Sequence, residues 1–400
     1  MRLEWRKKSA GILAMVMFLL TSSCLELNTD KFEITVNLPD GRMEMLAPSL
    51  RTYLYAEFDT SLDIAYLNMD YDADIQTSWL TFHGGNCESY IVRYSTEGNM
   101  SPCVERRVLA KYGGGEIYFG TLLPDTTYYI QVVAEDDKRV CSKIVDFTTE
   151  HCTTRVMRIL DENGNGPRNV RDIGGYINSV GKTVKYGMVY RGTYLNKRFG
   201  EKDVYALTNT TRAIMKNELG IRSEIDLRTS GVDDINMTAE NSIPQMKNML
   251  DDGLPYYKYS VKKIYDRIFS SKETLKNIAS FFHTMAEETN YPVYVHCNAG
   301  ADRTGTVITL LLGLLGVSYK DIVRDFEITN FSPQGRYGKW LRTEESGSDD
   351  TTYVAWGRFY DNVMAYGEKG CTFQEAVECF LEKIGVKEVE MEEIKRILIR

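Results

Sequence analysis

Apolar positions recur at every second residue in the first third of the chain. Phe32, Ile34 and Val36 alternate with Glu33 and Thr35, and Tyr128, Ile130, Val132 and Ala134 alternate with Tyr129, Gln131 and Val133. Successive side chains of a strand point to opposite faces, so a period of two predicts a sheet with one face buried. Residues 77–82 and 90–94 are further strand-like runs, and Gly84-Gly85 and Gly113-Gly114-Gly115 supply turns between them. Residues 30–150 therefore predict an all-β domain.

The pattern changes after residue 150. Residues 221–227 and 291–296 read as short strands, and the second runs into a glycine-containing turn. Residues 304–316, which follow that turn, are almost wholly apolar, as a buried helix requires. The run is too short to cross a bilayer, which takes about 20 residues. Residues 373–384 and 391–399 have the grain of helices. Strand, turn and helix in succession predict an α/β domain over 151–400, with a mostly parallel central sheet flanked by helices. Ligands of such sheets bind at the carboxyl ends of the strands. A chain of 400 residues is long for one core and comfortable for two.

Lys and Arg total 48 against 56 acids, a formal charge of −8. No nucleic-acid partner is expected, because such a partner needs a basic face. An anionic substrate has to be attracted by local charges instead. The chain opens with Arg2, Arg6, Lys7 and Lys8, continues with an apolar run over 10–20, and reaches Thr21-Ser22-Ser23-Cys24. Basic, apolar, then small is the layout of a secretory signal over 1–24. A Cys directly after the small residues resembles a bacterial lipoprotein signal, although Leu20 sits one position before the usual Leu. That resemblance implies cleavage before Cys24 and a lipid on Cys24. It places the protein on a membrane surface in a bacterial cell envelope, outside the cytoplasm. A plain secretory signal with an incidental Cys is the alternative. Cys87, Cys103, Cys141, Cys152, Cys371 and Cys379 are available for disulfides in an exported chain, with no pairing fixed by the sequence. With only four His and no C-x-x-C pair, no metal site is expected.

The chemistry concentrates in His296-Cys297-Asn298-Ala299-Gly300-Ala301-Asp302-Arg303-Thr304-Gly305. A thiol is a useful nucleophile only as thiolate. Cys297 ends a predicted strand and faces the start of a predicted helix, where free N–H groups and the helix dipole stabilise negative charge. Gly300 lets the loop curl so that successive amides form an anion nest. Arg303 offers a planar fork of donors suited to two phosphate oxygens. Five residues between Cys297 and Arg303 let one loop circle a tetrahedral phosphate.

His-Cys-x5-Arg-Thr-Gly resembles the phosphate-binding loop of the protein tyrosine phosphatase superfamily. The resemblance implies that Cys297 attacks phosphorus to form a phosphocysteine, which water hydrolyses, while Arg303 stabilises the equatorial oxygens. It implies further that Thr304 supports the departing thiolate, that His296 orients the loop, that Asn298, Ala299, Gly300 and Ala301 bind the phosphate, and that no metal or cofactor takes part. Two other segments resemble the bacterial and fungal tyrosine/serine phosphatases: Asn169-Val170-Arg171-Asp172-Ile173-Gly174-Gly175, and Ile225-Asp226-Leu227-Arg228. Asp226 and Arg228 thereby join the expected substrate-binding set. Residues 325–330 and 380–386 fit the same group. Taken alone, Gly174-Gly175 reads as a tight turn and Asp226 with Arg228 as an ion pair.

The leaving oxygen needs a proton, so an acid near the loop is required. Asp302, directly before Arg303, matches a proposed acid of this family; Asp233 and Asp234 are rivals, and no Trp-Pro-Asp segment is present. Many relatives carry Lys where this chain has Ala301, which weakens an inositol-phosphate or phosphoinositide reading unless Arg171, Arg191 or Arg228 compensates. The expected activity is that of an exported phosphomonoesterase acting on phosphotyrosine or related esters. An inositol-phosphate phosphatase and a surface binder with a vestigial phosphatase are the alternatives. In the β-domain, residues 122–132 and 145–149 resemble late strands of a fibronectin type III domain. This implies an immunoglobulin-like sandwich with a corner Tyr128 and a core Trp79. The sequence does not name its ligand, and a spacer or docking role is the default.

Overall fold

The computed structural model describes residues 31–56, 78–195, 207–229, 250–251, 253–332 and 352–400. The signal-like segment with Cys24, and the rival acids Asp233 and Asp234, lie outside the described residues. The chain divides into two units. One comprises Met1–Met43, Trp79–Tyr118 and Thr126–Thr149; the other comprises Glu44–Ser78, Phe119–Asp125 and Glu150–Arg400.

The first unit is strand-rich. Its strands are β1 (Lys31–Phe32), β2 (Ile34–Asn37), β3 (Trp79–Gly84), β4 (Ser89–Ser95), β5 (Val104–Leu109), β6 (Gly114–Tyr118), β7 (Thr127–Ala134), β8 (Val140–Cys141) and β9 (Val145–Thr148). One sheet runs β2-β3-β6; the other runs β1-β8-β7-β4-β5, with β9 also paired to β7. Leu80 and Phe82 of the first sheet are buried, as are Tyr90, Val92, Ile130 and Val132 of the second. The rings of Phe82 and Tyr90 meet edge-on, 4.8 Å apart. Gly84 lies at φ +104°, where a Cβ would sit 2.0 Å from the Glu33 carbonyl oxygen, so only glycine fits this turn.

Two expectations need correction. Trp79 is not a core residue: it is 47% exposed. Strand β3 buries Leu80 and Phe82, so its phase turns Trp79 outward, where its ring neighbours that of Tyr118 on β6 at 6.5 Å. Strand β7 is also more covered than a half-buried strand. Gln131 and Val133 are buried too, because β7 is central to its sheet and Gln131 Nε2 donates to the Ser142 carbonyl at 3.3 Å.

The second unit is α/β. It contains α1 (Pro48–Tyr55), β10 (Arg155–Val156), β11 (Arg171–Asp172), β12 (Val189–Gly192), α2 (Asn209–Ala213), β13 (Ser223–Asp226), β14 (Tyr256–Lys258), α3 (Lys272–Met285), β15 (Val293–His296), α4 (Asp302–Leu314), α5 (Tyr319–Glu327), α6 (Thr352–Met364), α7 (Phe373–Lys383) and α8 (Glu388–Leu398). The sheet order is β10-β11-β12-β15-β13-β14. Strands β12, β15, β13 and β14 are parallel, and β10 and β11 add an antiparallel edge. Central β15 is buried on both faces, which explains its unbroken apolar and aromatic run. Helix α4 follows it directly and is buried from Thr304 to Leu314.

Two pieces of 30–150 fold with this second unit instead of the first. In α1, Tyr53 donates to Glu327 Oε2 at 2.5 Å and its ring lies 5.1 Å from that of Phe331. Arg155 Nε donates to the Leu122 carbonyl at 2.8 Å. Short-range periodicity carries no trace of such contacts.

Helix α4 anchors the unit's core. Leu311→Ala removes a fully buried side chain and is expected to lower stability by about 2–5 kcal/mol, read from chemical denaturation.

Candidate active site

The four parallel strands bring their carboxyl ends together. In register, Gly192 of β12 and Asp226 of β13 both lie beside His296 of β15, and Lys258 of β14 lies beside Asp226. The chain leaves β15 at His296, turns through 297–301, and enters α4 at Asp302. Cys297 thus sits between a strand end and a helix start, and it is buried.

The loop's shape follows from what its carbonyls do. The His296 carbonyl accepts from Leu227 N at 2.9 Å, and the Asn298 carbonyl accepts from Tyr194 N at 3.2 Å. His296 Nδ1 lies 3.2 Å from the Cys297 carbonyl. The Ala299 carbonyl accepts from Asn169 Nδ2 at 3.0 Å, and the Gly300 carbonyl accepts from Arg191 Nη2 at 2.8 Å. The Ala301 carbonyl accepts from Gly305 N at 2.6 Å. The carbonyls of 296, 298, 299 and 300 are therefore turned out to donors on other elements, that of 297 faces the His296 ring, and that of 301 enters the bonding of α4. In a trans peptide the N–H points opposite to the C=O, so the amides that follow these carbonyls turn inward. Gly300 makes the curl sterically possible. Its φ is +66°, and a Cβ there would lie 2.3 Å from the Gly192 carbonyl oxygen.

Behind the loop lies a buried ion group. Arg171 Nε donates to Asp325 Oδ1 at 3.0 Å, Arg191 Nη1 donates to Asp325 Oδ2, and Arg171 Nη1 donates to Asn169 Oδ1 at 2.5 Å. Burial alone pushes the Asp325 carboxyl up, but Arg191 and Arg171 override it and hold it below the usual carboxylate range. Burial, with Arg171 beside it, brings Arg191 down to about 10. The N-x-R-D segment thus acts from behind: Asn169 holds the Ala299 carbonyl, and Arg171 holds the Asp that holds Arg191. The expectation that Arg171 or Arg191 offers charge to a substrate is overturned, since both side chains are 1% exposed and committed to Asp325.

Two more buried carboxylates face the loop from β13. Glu224 Oε1 lies 2.9 Å from His296 Nε2. With Nδ1 turned to a carbonyl and Nε2 to a carboxylate, the ring meets an acceptor at each nitrogen, which fixes its orientation. Asp226 accepts from Arg228 Nη2 at 2.7 Å, Lys258 Nζ at 2.9 Å and Tyr256 Oη at 2.9 Å. Burial works against its charge, but His296, Arg228 and Lys258 prevail and hold it well below the ordinary carboxylate range. Asp226 was expected to bind substrate; it is fully buried and reaches a ligand only through the cations it holds. The ion-pair reading of Asp226 with Arg228 is met as well.

Asp302 and Arg303 are half-buried in the first turn of α4. The Thr304 hydroxyl is buried and has no hydrogen-bond partner among the described residues. Asp302 Oδ1 accepts from Tyr265 Oη at 3.2 Å. Glu224, Asp325, Lys258 and Tyr265 received no role from the sequence. A Glu two residues before Asp226 on a strand facing His296 and the family-like stretch 325–330 that begins with Asp325 were the available signals; Lys258 and Tyr265 arrive from separate elements.

A curled loop between a parallel strand and a buried helix thus carries a buried thiol, with Arg303 half-buried in the first helical turn, on an α/β domain. The chain belongs to the tyrosine phosphatase family, whose model matches residues 163–400. Among solved structures, the core catalytic domain of the PP-IP phosphatase SIW14 from S. cerevisiae, in complex with citrate, is similar over 42% of this chain and 86% of its own, at 18% identity and a TM-score of 0.27. No curated protein sequence matches at a significant level.

Two outcomes are expected. Gly300→Ala forces Gly192 and the loop apart, and kcat/KM should fall by about 100-fold or more, since misplacing a site by ~1 Å costs that much. Asp325→Asn leaves two guanidinium groups buried without their counter-charge and should cost about 3–5 kcal/mol at neutral pH. Because the folded pKa of Asp325 is depressed, its contribution is complete above the unfolded value of about 4 and is lost as pH falls through the folded value. Denaturation of wild type and variant across pH should show the two curves converging only in acid.

Proposed function

We propose that the protein is an exported phosphomonoesterase that hydrolyses phosphotyrosine or related monoesters through a phosphocysteine on Cys297. The observation that carries this reading is the outward commitment of the carbonyls of 296, 298, 299 and 300 to donors on other elements. By peptide planarity the amides that follow turn inward, on a loop that begins with the buried Cys297. A phosphate dianion there meets those amides, the start of α4 and the guanidinium of Arg303.

In the first step the Cys297 thiolate attacks phosphorus, the P–O bond to the leaving group breaks, and Asp302 gives its proton to the departing oxygen. In the second step water attacks the phosphocysteine, Asp302 takes the water's proton, and the S–P bond breaks to return the thiolate. The unpartnered Thr304 hydroxyl supports that thiolate as a donor. Glu224 and His296 keep the strand end fixed. Since Arg171 and Arg191 are committed to Asp325 and Arg228 and Lys258 to Asp226, the described cations near the loop are largely neutralised, which favours a singly phosphorylated substrate over an inositol polyphosphate.

The first unit reads as a fibronectin type III-like sandwich. Its two sheets and the inter-sheet contact of Phe82 with Tyr90 support this. A lipid on Cys24 would hold the protein at the outer side of a bacterial membrane, with the β-unit as spacer or docking module.

The test is hydrolysis of para-nitrophenyl phosphate with reductant and EDTA present. Wild type should turn over, Cys297→Ser should not, and Asp302→Asn should lose about 100- to 10,000-fold on phenyl phosphate. Absence of turnover in wild type on all aryl esters would favour the binding alternative, and faster release of phosphate from inositol polyphosphates would favour that substrate class.

A further inference from the structure

Tyr265 is a fully buried tyrosine that no part of the mechanism above uses. It begins a short 3-10 turn, Tyr265–Ser270, and its backbone lies at φ +47°. A bulky side chain in that left-handed region costs on the order of 1–3 kcal/mol and persists only where its surroundings fix it. Those surroundings are specific. The Tyr265 N–H donates to Thr306 Oγ1 at 3.2 Å, and the same hydroxyl donates to the Asp302 carbonyl at 2.9 Å. One threonine therefore ties the Tyr265 backbone to the Asp302 backbone. The ring is held edge-on against Phe326, 6.0 Å away, and tilted against Phe359, 6.4 Å away. The turn itself is pinned to α6 by Arg358 Nε donating to Asp266 Oδ2 at 2.7 Å.

All of this delivers one hydroxyl to one place. Tyr265 Oη reaches Asp302 Oδ1 at 3.2 Å. Gly305 leaves room for it, since a Cβ there would already lie 3.3 Å from that hydroxyl. Burial, and then the charge of Asp302, keep the phenol far above its ordinary titration range, so it stays protonated and is the donor. An Asp side chain in the first turn of a helix has rotamers to choose among. A fixed donor on one oxygen selects one of them and sets the plane of the carboxyl group.

We infer that Tyr265 is a positioning residue that sets the orientation of Asp302 for proton transfer to the leaving oxygen. The inference rests on the reading of Asp302 as the acid. A tyrosine that only fills the core would lose little when its hydroxyl is removed, and whatever it lost would not depend on the substrate.

Tyr265→Phe keeps the ring and removes the hydroxyl. Its kcat and KM should be measured with phenyl phosphate, whose leaving group needs a proton, and with 2,4-dinitrophenyl phosphate, whose leaving group does not. The same is done for Asp302→Asn and for the double variant. The expected result is a loss of about 10-fold in kcat on phenyl phosphate, part of the ~100- to 10,000-fold that a general acid supplies. KM should be unchanged and the dinitrophenyl ester nearly unaffected. In the Asp302→Asn background, Tyr265→Phe should cost nothing further. Equal losses on both esters, or an undiminished loss in the Asp302→Asn background, would overturn the inference while leaving Asp302 as the acid. If Asp302→Asn itself loses equally on both esters, the acid assignment fails and the role of Tyr265 falls with it.

Discussion

The second unit depends on one buried ion group, Arg171 and Arg191 on Asp325. Three charges without water are costly unless their hydrogen bonds are satisfied, and here the satisfaction has a direction. Arg191 Nη2 donates to the Gly300 and Ala301 carbonyls, although its Nε has no partner among the described residues, and Arg171 steadies Asn169, which holds the Ala299 carbonyl. Carbonyls drawn outward leave amides pointing inward. The curl of the loop is thus set by charges that lie behind it. On the proposed reading a chain of formal charge −8 needs no net charge to attract a dianion, since oriented peptides, one helix start and Arg303 would supply the field locally.

The glycines mark where this arrangement is tightest. Gly300 and Gly192 approach so closely that a Cβ on Gly300 would lie 2.3 Å from the Gly192 carbonyl oxygen, and a Cβ on Gly192 would lie 2.3 Å from Tyr294 Oη. The loop is clamped between β12 and the ion group. Glu224 and His296 add a second clamp from β13, and Asp226 gathers Arg228 and Lys258 at the neighbouring strand end. Rigidity of this kind lets amides meet an anion without first being reorganised.

The loop was legible in the sequence because its chemistry is contiguous: thiol, glycine, arginine and threonine follow one another between an apolar strand and an apolar helix. The strands at 291–296 and 221–227 and the helix at 304–316 were legible because their burial leaves a run of one kind, and the helices at 373–384 and 391–399 were read too, whereas α5 and α6 were not. The supporting residues were not. Asp325 and Tyr265 are brought to the loop by topology; the stretch 325–330 resembled the family without giving Asp325 a role, and nothing around Tyr265 marks it. The motif around Asn169 and Arg171 was visible, yet Arg171 was offered only as a compensating charge for the substrate, whereas Asn169 and Arg171 hold the loop from behind. Trp79 was misplaced by a single step of the strand period, which inverts inside and outside. Residues 44–56 and 119–125 were assigned by adjacency in sequence, whereas their partners, Glu327, Phe331 and Arg155, lie far along the chain.

The central claim is that the loop presents a phosphate to a nucleophilic thiol at Cys297. Acid quenching during steady turnover of para-nitrophenyl phosphate, followed by peptide mass spectrometry, tests it most directly. The account predicts a phosphate adduct on the peptide carrying Cys297, appearing with substrate and disappearing as substrate is exhausted. Turnover that proceeds with the adduct on another residue, or with no adduct at any quench time while Cys297→Ser remains active, would contradict it.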